Sequence, residues 1–211
     1  FMVQGWLPFN PNHAPNMSWD LALHSMISFL TNTNQQHYSG QAQLSYLSQM
    51  VGIVVLQVIT PMMGLAMAVA TVRALFFDRS NEQTATTSHS SDQSFTEKIK
   101  SINVGNYWAD VIRPTFRFLL PICMVWALFL NSQGVPATFQ GGPDIQVVDH
   151  AAELKTQKIP LGPVAPMVAI KQLGSNGGGW YDPNSSVPLE TTTPFSNFME
   201  MLTILLLPVT V

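Results

Sequence analysis

The sequence has 211 residues, of which 46% are hydrophobic and only 10% are charged. Because soluble domains carry about 25% charged residues, this composition favours an integral membrane protein over a soluble enzyme. The formal net charge of −3 argues against a nucleic-acid partner. The single cysteine, Cys123, lies in an apolar run, where the role of a small buried hydrophobic residue is expected rather than that of a nucleophile.

The first apolar segment, residues 19–30, is too short to cross a membrane. A helix of this length extends about 18 Å, whereas the hydrocarbon core of a bilayer is about 30 Å thick. A polar tip, residues 31–34, follows it, and the next apolar run, residues 51–77, is long enough to span. Pro61 predicts a kink in that span. For residues 19–30 alone, an amphipathic helix at the membrane interface is the alternative interpretation.

Residues 78–104 are predicted to form a cytoplasmic loop. Six of the nine Lys and Arg residues lie in or beside this segment, and positively charged loops tend to face the cytoplasm. A second span is predicted over residues 107–130. Its charged residues Asp110, Arg113 and Arg117 lie within about two turns of the membrane edge, so we expect their side chains to reach the interface rather than to mark an ion path.

The same order of segments recurs in the second half of the sequence. A short apolar helix is predicted over residues 163–173, a glycine-rich tip over residues 174–179, and an incomplete span over residues 195–211. Matching Thr31-Asn32 with Ser175-Asn176 gives an offset of about 144 residues. Such an internal repeat predicts an all-α membrane protein with repeated helix–pore-loop–helix units.

The first predicted unit covers residues 1–77, without its first helix, and the second covers residues 105–211. With the basic loop on the cytoplasmic side, residues 1–50 and 131–198 are expected outside. Both polar tips then enter the membrane from the same face. Because the sequence starts at Phe1 and stops at Val211 within an apolar run, we expect it to be part of a longer protein that does not fold well from this part alone.

The two tips have the chemistry that a dehydrated potassium ion requires. Backbone carbonyls supply weakly negative oxygens without a full charge that would trap the ion. Glycine adopts the backbone angles that aim successive carbonyls at one axis, and residues 177–179 are three consecutive glycines. A flexible surface turn is the alternative for these glycines. No Lys-Ser/Thr pair follows them, which excludes a nucleotide P-loop, and no His/Cys pair in the sequence has zinc-site spacing.

At these residues the sequence resembles the potassium-translocating A subunit of the bacterial Kdp potassium-transporting ATPase. The resemblance covers nearly the whole chain and is strongest in residues 31–34, 44–50, 105–108, 127–135, 162–165 and 169–179. It implies a potassium-channel-like fold with four repeats, of which two are present, whose pore loops form one filter. The sequence departs from the usual pattern of the family at Gln35, Ser175, residues 166–168 and residues 180–181, and its 78–103 loop is unusually long.

The resemblance assigns the filter and its surroundings. The implied filter residues are Thr31, Asn32, Thr33, Asn34, Ser175, Asn176, Gly177 and Gly178, with Gly174 and Gly179 in support. Potassium is the implied transported ion, held by backbone carbonyls, and no transition metal or other cofactor is expected. The implied partners are an ATP-hydrolysing P-type subunit, small accessory subunits and the lipid bilayer. The protein would then be a non-hydrolytic, multi-pass subunit in the bacterial cytoplasmic (inner) membrane.

Two other functions remain compatible with the sequence. One is a passive channel or a symporter of the same superfamily, which the sequence separates poorly from a pump subunit. The other is a membrane assembly subunit that does not conduct ions. In that case, substitutions at Asn32, Asn176 and Gly177 would affect stability and never ion dependence.

Overall fold

The computed structural model describes residues 1–85, 105–148 and 155–210 of the chain. These residues form a mainly helical structure, as the sequence predicts. The α-helices in these ranges are α1 (Trp19–Leu30), α2 (Gly40–Gln43), α3 (Val55–Ala85), α4 (Tyr107–Pro114), α5 (Leu120–Ser132), α6 (Val164–Leu173) and α7 (Pro194–Thr210). Short 3-10 turns cover Gln4–Trp6 and Pro183–Ser185.

Two continuous helical stretches are long and apolar enough to cross a membrane. The first, Ser48–Phe76, has 29 residues and a mean hydropathy of 2.1, and it joins a π-helical segment, Ser48–Val54, to α3. The second, Tyr107–Ser132, has 26 residues and a mean hydropathy of 1.5. Large apolar side chains on both stretches, among them those of Met67 and Leu128, point away from the protein interior. Such surfaces are typical of helices that face lipid.

Proline residues shape both long stretches. Pro114 precedes a π-helical segment, Thr115–Leu119, that connects α4 to α5. Pro61 lies inside α3. Because proline has no backbone N–H, it leaves the carbonyl four residues earlier, that of Gln57, without its helical donor. This free carbonyl lies next to the candidate site described below.

The core lies around the short helix α6, and α1, which packs on α3, adds the buried side chains of Ala22 and Phe29. Nine of the ten residues of α6 are buried, all except Pro166, and the helix contacts both α5 and α7. The largest of the fully buried apolar side chains are the aromatic ones of Phe29, Tyr46, Trp180 and Tyr181. Cys123 is buried, as predicted, within a smaller apolar cluster between α3, α5 and α6.

The structure differs from the sequence-based description in two places. Helix α3 continues to Ala85, beyond residue 77, and the rest of the predicted 78–104 loop lies outside the described residues. The outer loop contains an antiparallel pair of strands, β1 (Asp144–Gln146) and β2 (Thr156–Lys158), which the all-α prediction did not include. These strands are three residues long and exposed at every position, so they carry no apolar alternation that would reveal them.

Asp110 of the second long stretch is paired with a residue of the first. Its carboxylate accepts hydrogen bonds from the guanidinium of Arg73 in α3. The two side chains remain 21% and 42% exposed, respectively. The ion pair joins α3, at a position twelve residues before its end, to the first turn of α4.

Candidate functional site

The polar tips that follow α1 and α6 begin with the same hydrogen bonds. After α1, the Ser28 carbonyl accepts from the N–H of Thr33 at 2.9 Å and from that of Asn34 at 3.1 Å. After α6, the Lys171 carbonyl accepts from the N–H of Asn176 at 3.1 Å and from that of Gly177 at 3.5 Å. In both tips, therefore, two backbone N–H groups fold back onto a carbonyl in the last turn of the preceding helix.

The backbone angles of the two tips also correspond. Positive φ angles occur at Asn32 (59°) and Asn34 (54°) in the first tip, and at Ser175 (54°) and Gly177 (78°) in the second. Positive φ is unusual for residues with side chains, so its alternation in both tips is a specific shared feature. Asn32 thus corresponds to Ser175, an offset of 143 residues. The sequence match, with its offset of about 144, paired Asn32 with Asn176, which is one residue beyond its structural counterpart.

The two tips meet beside one cavity of about 440 Å³. Thr31 and Asn32 of the first tip line it together with Gly174 and Ser175 of the second. Its remaining lining residues are Leu30, Thr60, Pro61, Met63, Gly64, Leu65 and Ala68, and all eleven are uncharged. Thr60 lies twelve residues beyond Ser48, about 18 Å along the first long stretch. The cavity therefore lies near the middle of that stretch.

The carbonyls of the two tips divide into bonded and open groups. In the second tip, the Gly177 carbonyl accepts from the N–H of Asn184 at 2.8 Å, and the Gly178 carbonyl accepts from Gln57 Nε2 at 3.1 Å. By contrast, the carbonyls of Ser175 and Asn176 accept no hydrogen bond from any residue that the structure describes. Of these two residues with open carbonyls, Ser175 lines the cavity.

In the first tip, the carbonyls of residues 31–34 likewise accept no hydrogen bond within the described ranges. Side chains hold this tip instead. Asn32 Oδ1 accepts from Thr60 Oγ1 at 3.0 Å and from Asn34 Nδ2 at 3.3 Å. The hydroxyl groups of Thr31 and Thr33 lie 2.9 Å apart. Side-chain bonds of this kind leave backbone carbonyls available for another ligand.

Two glutamines that the sequence analysis did not single out hold the second tip. Gln36 exchanges two hydrogen bonds with Gly179, through Oε1 to its N–H at 2.9 Å and through Nε2 to its carbonyl at 3.0 Å. Gln57 contacts Gly178, and its freed carbonyl accepts from Asn176 Nδ2 at 3.4 Å. Both pairings join residues more than a hundred positions apart. The sequence near Gln36 gives no indication of its contact. For Gln57, the only indication is Pro61, which predicts that the Gln57 carbonyl lacks its helical donor.

Two buried acidic residues behind the second tip were also missed. Glu190 forms a buried ion pair with Lys171, and Glu200 accepts from Gln172 Nε2 at 2.8 Å. A signal for the first pair was present, because Lys171 is the only charged residue in an otherwise uncharged short helix. A lysine in such a helix requires a buried partner.

The outer end of the second tip is anchored by two aromatic residues. Trp180 and Tyr181 are fully buried, and the Tyr181 hydroxyl donates to the Pro160 carbonyl at 2.6 Å. Burial, with a further contribution from the Glu190 carboxylate, raises the pKa of the Tyr181 phenol above its ordinary value. The hydroxyl therefore stays protonated as a donor at physiological pH. The peptide bond after Tyr181 is held in turn, because the Tyr181 carbonyl accepts from the N–H of Gly40 at 2.8 Å.

This geometry can bind a monovalent cation through neutral oxygens. The residues of both tips and Thr60 bring backbone, amide and hydroxyl oxygens to one part of an uncharged cavity whose other lining residues are mostly apolar. Nearby hydrogen bonds fix the backbone of the tips. Weakly negative oxygens held in place replace the hydration shell of such an ion without retaining it permanently. A backbone of this irregular form is tolerated within a membrane where it lines a cavity.

Comparison with known proteins identifies the family. The profile of the potassium-transporting ATPase A subunit matches residues 1–211. The chain is 42% identical to the potassium-transporting ATPase potassium-binding subunit of Pseudomonas putida over 210 residues, 43% identical to that of Pseudomonas syringae over 207 and 44% identical to that of Yersinia pseudotuberculosis over 207.

Each of these matches covers 98% or 99% of the chain but only 32% of the relative, so the chain spans about a third of the length of the proteins it matches. The comparison confirms the resemblance drawn from the sequence motifs, and the mainly helical structure fits an all-α membrane protein of this kind. The chain belongs to the potassium-transporting ATPase A subunit family.

Proposed function

We propose that this chain carries two of the ion-selecting segments of a potassium-binding membrane subunit in an ATP-driven potassium uptake pump. The observation that supports this most strongly is the meeting of two similar tips at one uncharged cavity. The three relatives compared above carry the name of the potassium-binding subunit of a potassium-transporting ATPase.

In this proposal, residues 31–34 form the first filter segment and residues 175–178 the second. The open carbonyls of Ser175 and Asn176 contact the ion, together with carbonyls of residues 31–34. Gly177 and Gly178, whose carbonyls are bonded inside the protein, shape the segment, and Gly174 and Gly179 support it. The positive φ of Gly177 is one that side chains rarely adopt, which explains glycine there.

The proposed architecture is that of two helix–pore-loop–helix units out of four. The first unit covers residues 1–77 and the second residues 105–211, and the remaining two units lie in the rest of a full-length protein. Two segments alone cannot surround an ion, so a complete filter needs all four. Residues 78–104 face the cytoplasm and residues 1–50 and 131–198 the outside of a bacterial inner membrane, which the protein crosses several times.

ATP hydrolysis is assigned to a P-type partner subunit, with small accessory subunits completing the complex. The proposed role of this subunit is to strip water from potassium, to exclude sodium by the fixed spacing of its carbonyls, and to pass the ion inward. The apolar surfaces of the two long stretches contact lipid. Potassium is the transported substrate, and the chain itself binds no ATP.

The test is potassium-stimulated ATP hydrolysis by the full-length protein assembled with its partner subunits. Gly177→Asp should raise the half-saturating potassium concentration by more than about tenfold or allow sodium to stimulate, because it crowds and charges the filter. Gly134→Asp is the matched control, since Gly134 also has a positive φ (101°) and lies near Thr192, in the outer part of the chain. Identical potassium curves for wild type and Gly177→Asp would contradict the assignment. Purification without an ATP-hydrolysing partner would favour a passive channel or symporter.

A further inference from the structure

Lys171 and Glu190 form an ion pair in which neither side chain is exposed to solvent. Lys171 lies in the last turn of α6, and Glu190 lies in the segment that returns from the second tip to α7. Burying two charges is costly, and apolar side chains of similar volume often stabilise a protein as well or better. The pair is therefore poorly explained as a device for stability alone.

The pair connects the two ends of the second tip. At the inner end, the Lys171 carbonyl accepts from the N–H groups of Asn176 and Gly177. At the outer end, Glu190 Oε1 accepts from the N–H of Tyr181 at 3.0 Å, while Oε2 accepts from Lys171 Nζ. The ion pair thus closes the segment between residues 171 and 181 into a ring, which restricts the conformations open to the tip.

The carboxylate of Glu190 also lies close to the backbone of the second tip, at Gly179. A Cβ atom at Gly179 would lie 2.0 Å from the Asp182 carbonyl oxygen, 2.8 Å from Glu190 Oε1 and 2.9 Å from Glu190 Oε2. These distances are too short for a real side chain, so glycine at this position permits the close approach. The backbone at Gly179 is therefore packed closely against both the Asp182 carbonyl and the Glu190 carboxylate.

The first tip is braced at the equivalent position by a different group. Ser28 corresponds to Lys171 at the offset of 143, and its carbonyl makes the same bonds to its tip. The Ser28 hydroxyl accepts from the N–H of Gln35 at 2.7 Å and donates to the Gln35 carbonyl at 2.9 Å. Both tips are thus tied to the helix residue whose carbonyl caps them, by a hydroxyl in one and by an ion pair in the other.

We propose that Lys171 and Glu190 are positioning residues that hold the second filter segment at the carbonyl spacing that selects potassium over sodium. The inference rests on the proposed function, because it assigns the ion pair to the filter described there. Neither side chain contacts the ion. Selection by fixed carbonyls requires that the backbone does not adjust to a smaller ion. The ring closed by the ion pair, with the Glu190 carboxylate close to Gly179, restricts that adjustment.

The test uses the full-length protein in complex with its partner subunits and measures ATP hydrolysis against potassium and sodium. Glu190→Gln retains the shape of the side chain and an acceptor for the Tyr181 N–H but removes the charge that holds Lys171. We expect the half-saturating potassium concentration to rise about tenfold and discrimination against sodium to fall by a similar factor, while the rate at saturating potassium changes less than about twofold. Asp182→Asn, a partly buried carboxylate in the same return segment, is the matched control and should behave as wild type.

A second variant covers the case in which Glu190→Gln fails to assemble. Lys171→Met combined with Glu190→Gln removes both charges of the pair, so neither residue is left as a buried charge without its partner. The buried Glu200, which lies near Lys171, keeps its hydrogen bonds from Gln172 and Ser185. This double variant should assemble and should show the same loss of potassium affinity and selectivity. Wild-type affinity and selectivity in an assembled single or double variant would overturn the proposal. Failure of both to assemble would overturn it too, because the pair would then serve folding alone.

The two proposals fail in different ways. If the wild-type complex shows no potassium dependence, or Gly177→Asp leaves it unchanged, the proposed function itself is wrong. If Gly177→Asp alters ion selection and the Lys171 and Glu190 variants do not, the filter assignment stands and only the role of the ion pair is rejected.

Discussion

Gln57 of α3 donates from Nε2 to the carbonyl of Gly178 at 3.1 Å, across 121 residues of sequence. Gln57 is fully buried, and its own carbonyl, freed by Pro61, accepts from Asn176 Nδ2. One residue of the first long stretch therefore holds the second tip at two points. This relationship turns the Gly178 carbonyl toward α3 and leaves the carbonyls of Ser175 and Asn176 as the open ones.

Gln57→Leu should weaken both the fold and potassium binding. The substitution leaves the Gly178 carbonyl buried without a donor, which costs about 1–3 kcal/mol. We expect a lower unfolding temperature of the detergent-purified complex and a higher half-saturating potassium concentration. Gln43→Leu, at an exposed glutamine of α2, is the control. An unchanged unfolding temperature together with unchanged potassium affinity would show that the bond has no such role.

Gln36→Leu should weaken potassium binding, whereas the same substitution at the adjacent Gln35 should not. The substitution removes both hydrogen bonds to Gly179, so the outer end of the second tip loses its tie to the first half of the chain. We expect the half-saturating potassium concentration to rise about tenfold. Gln35→Leu is the control at the adjacent position, where the exposed side chain makes no hydrogen bond to the described residues. Equal shifts in the two potassium titrations would exclude a specific role for Gln36.

Trp180→Ala should destabilise the protein far more than the same change at Trp6. Trp180 is fully buried against Gly162 and Tyr46, whereas Trp6 is 83% exposed. Removing a buried tryptophan costs about 3–5 kcal/mol. Thermal unfolding of the purified complex and the yield of assembled complex measure the difference. Similar losses for both variants would mean that the burial of Trp180 does not support the tip.

The parts of the fold that the sequence could predict are those with a local signal. Apolar runs of two lengths, separated by polar tips, predicted the half-length helices over residues 19–30 and 163–173 and the long spans after residue 51 and after residue 107. The ranges of α1 and α6 in the structure are Trp19–Leu30 and Val164–Leu173. The length and the apolar pattern of each run are sufficient to predict these helices, because each helix buries its apolar surface independently of the register of its neighbours.

The parts that could not be predicted depend on contacts between distant residues. Gln36 and Gln57 are ordinary polar residues in the sequence, and their importance comes from the backbone groups they reach. The repeat register was set by matching Asn32 to Asn176, whereas the folded backbone matches Asn32 to Ser175. Helix ends fix this register through the carbonyls of Ser28 and Lys171, and residue identity at the tips is a poorer guide.

The proposed orientation in the membrane predicts which loops are accessible from outside the cell. In a full-length protein otherwise free of cysteine, Ser186→Cys should react with a membrane-impermeant maleimide in intact cells, since Ser186 is exposed in the segment proposed to face outward. Ser94→Cys, in the predicted cytoplasmic loop outside the described residues, should react only after the membrane is opened. Labelling of Ser94→Cys in intact cells would reverse the orientation.

Equilibrium binding of radiolabelled rubidium to the purified full-length complex, with potassium and sodium as competitors, tests the central claim most directly. It measures ion selection without relying on ATP hydrolysis. We predict that potassium displaces rubidium from the wild-type and Gly134→Asp complexes while sodium at the same concentration does not, and that Gly177→Asp loses this preference. If Gly177→Asp binds rubidium with wild-type affinity and the same preference for potassium over sodium, the second tip is not part of the filter.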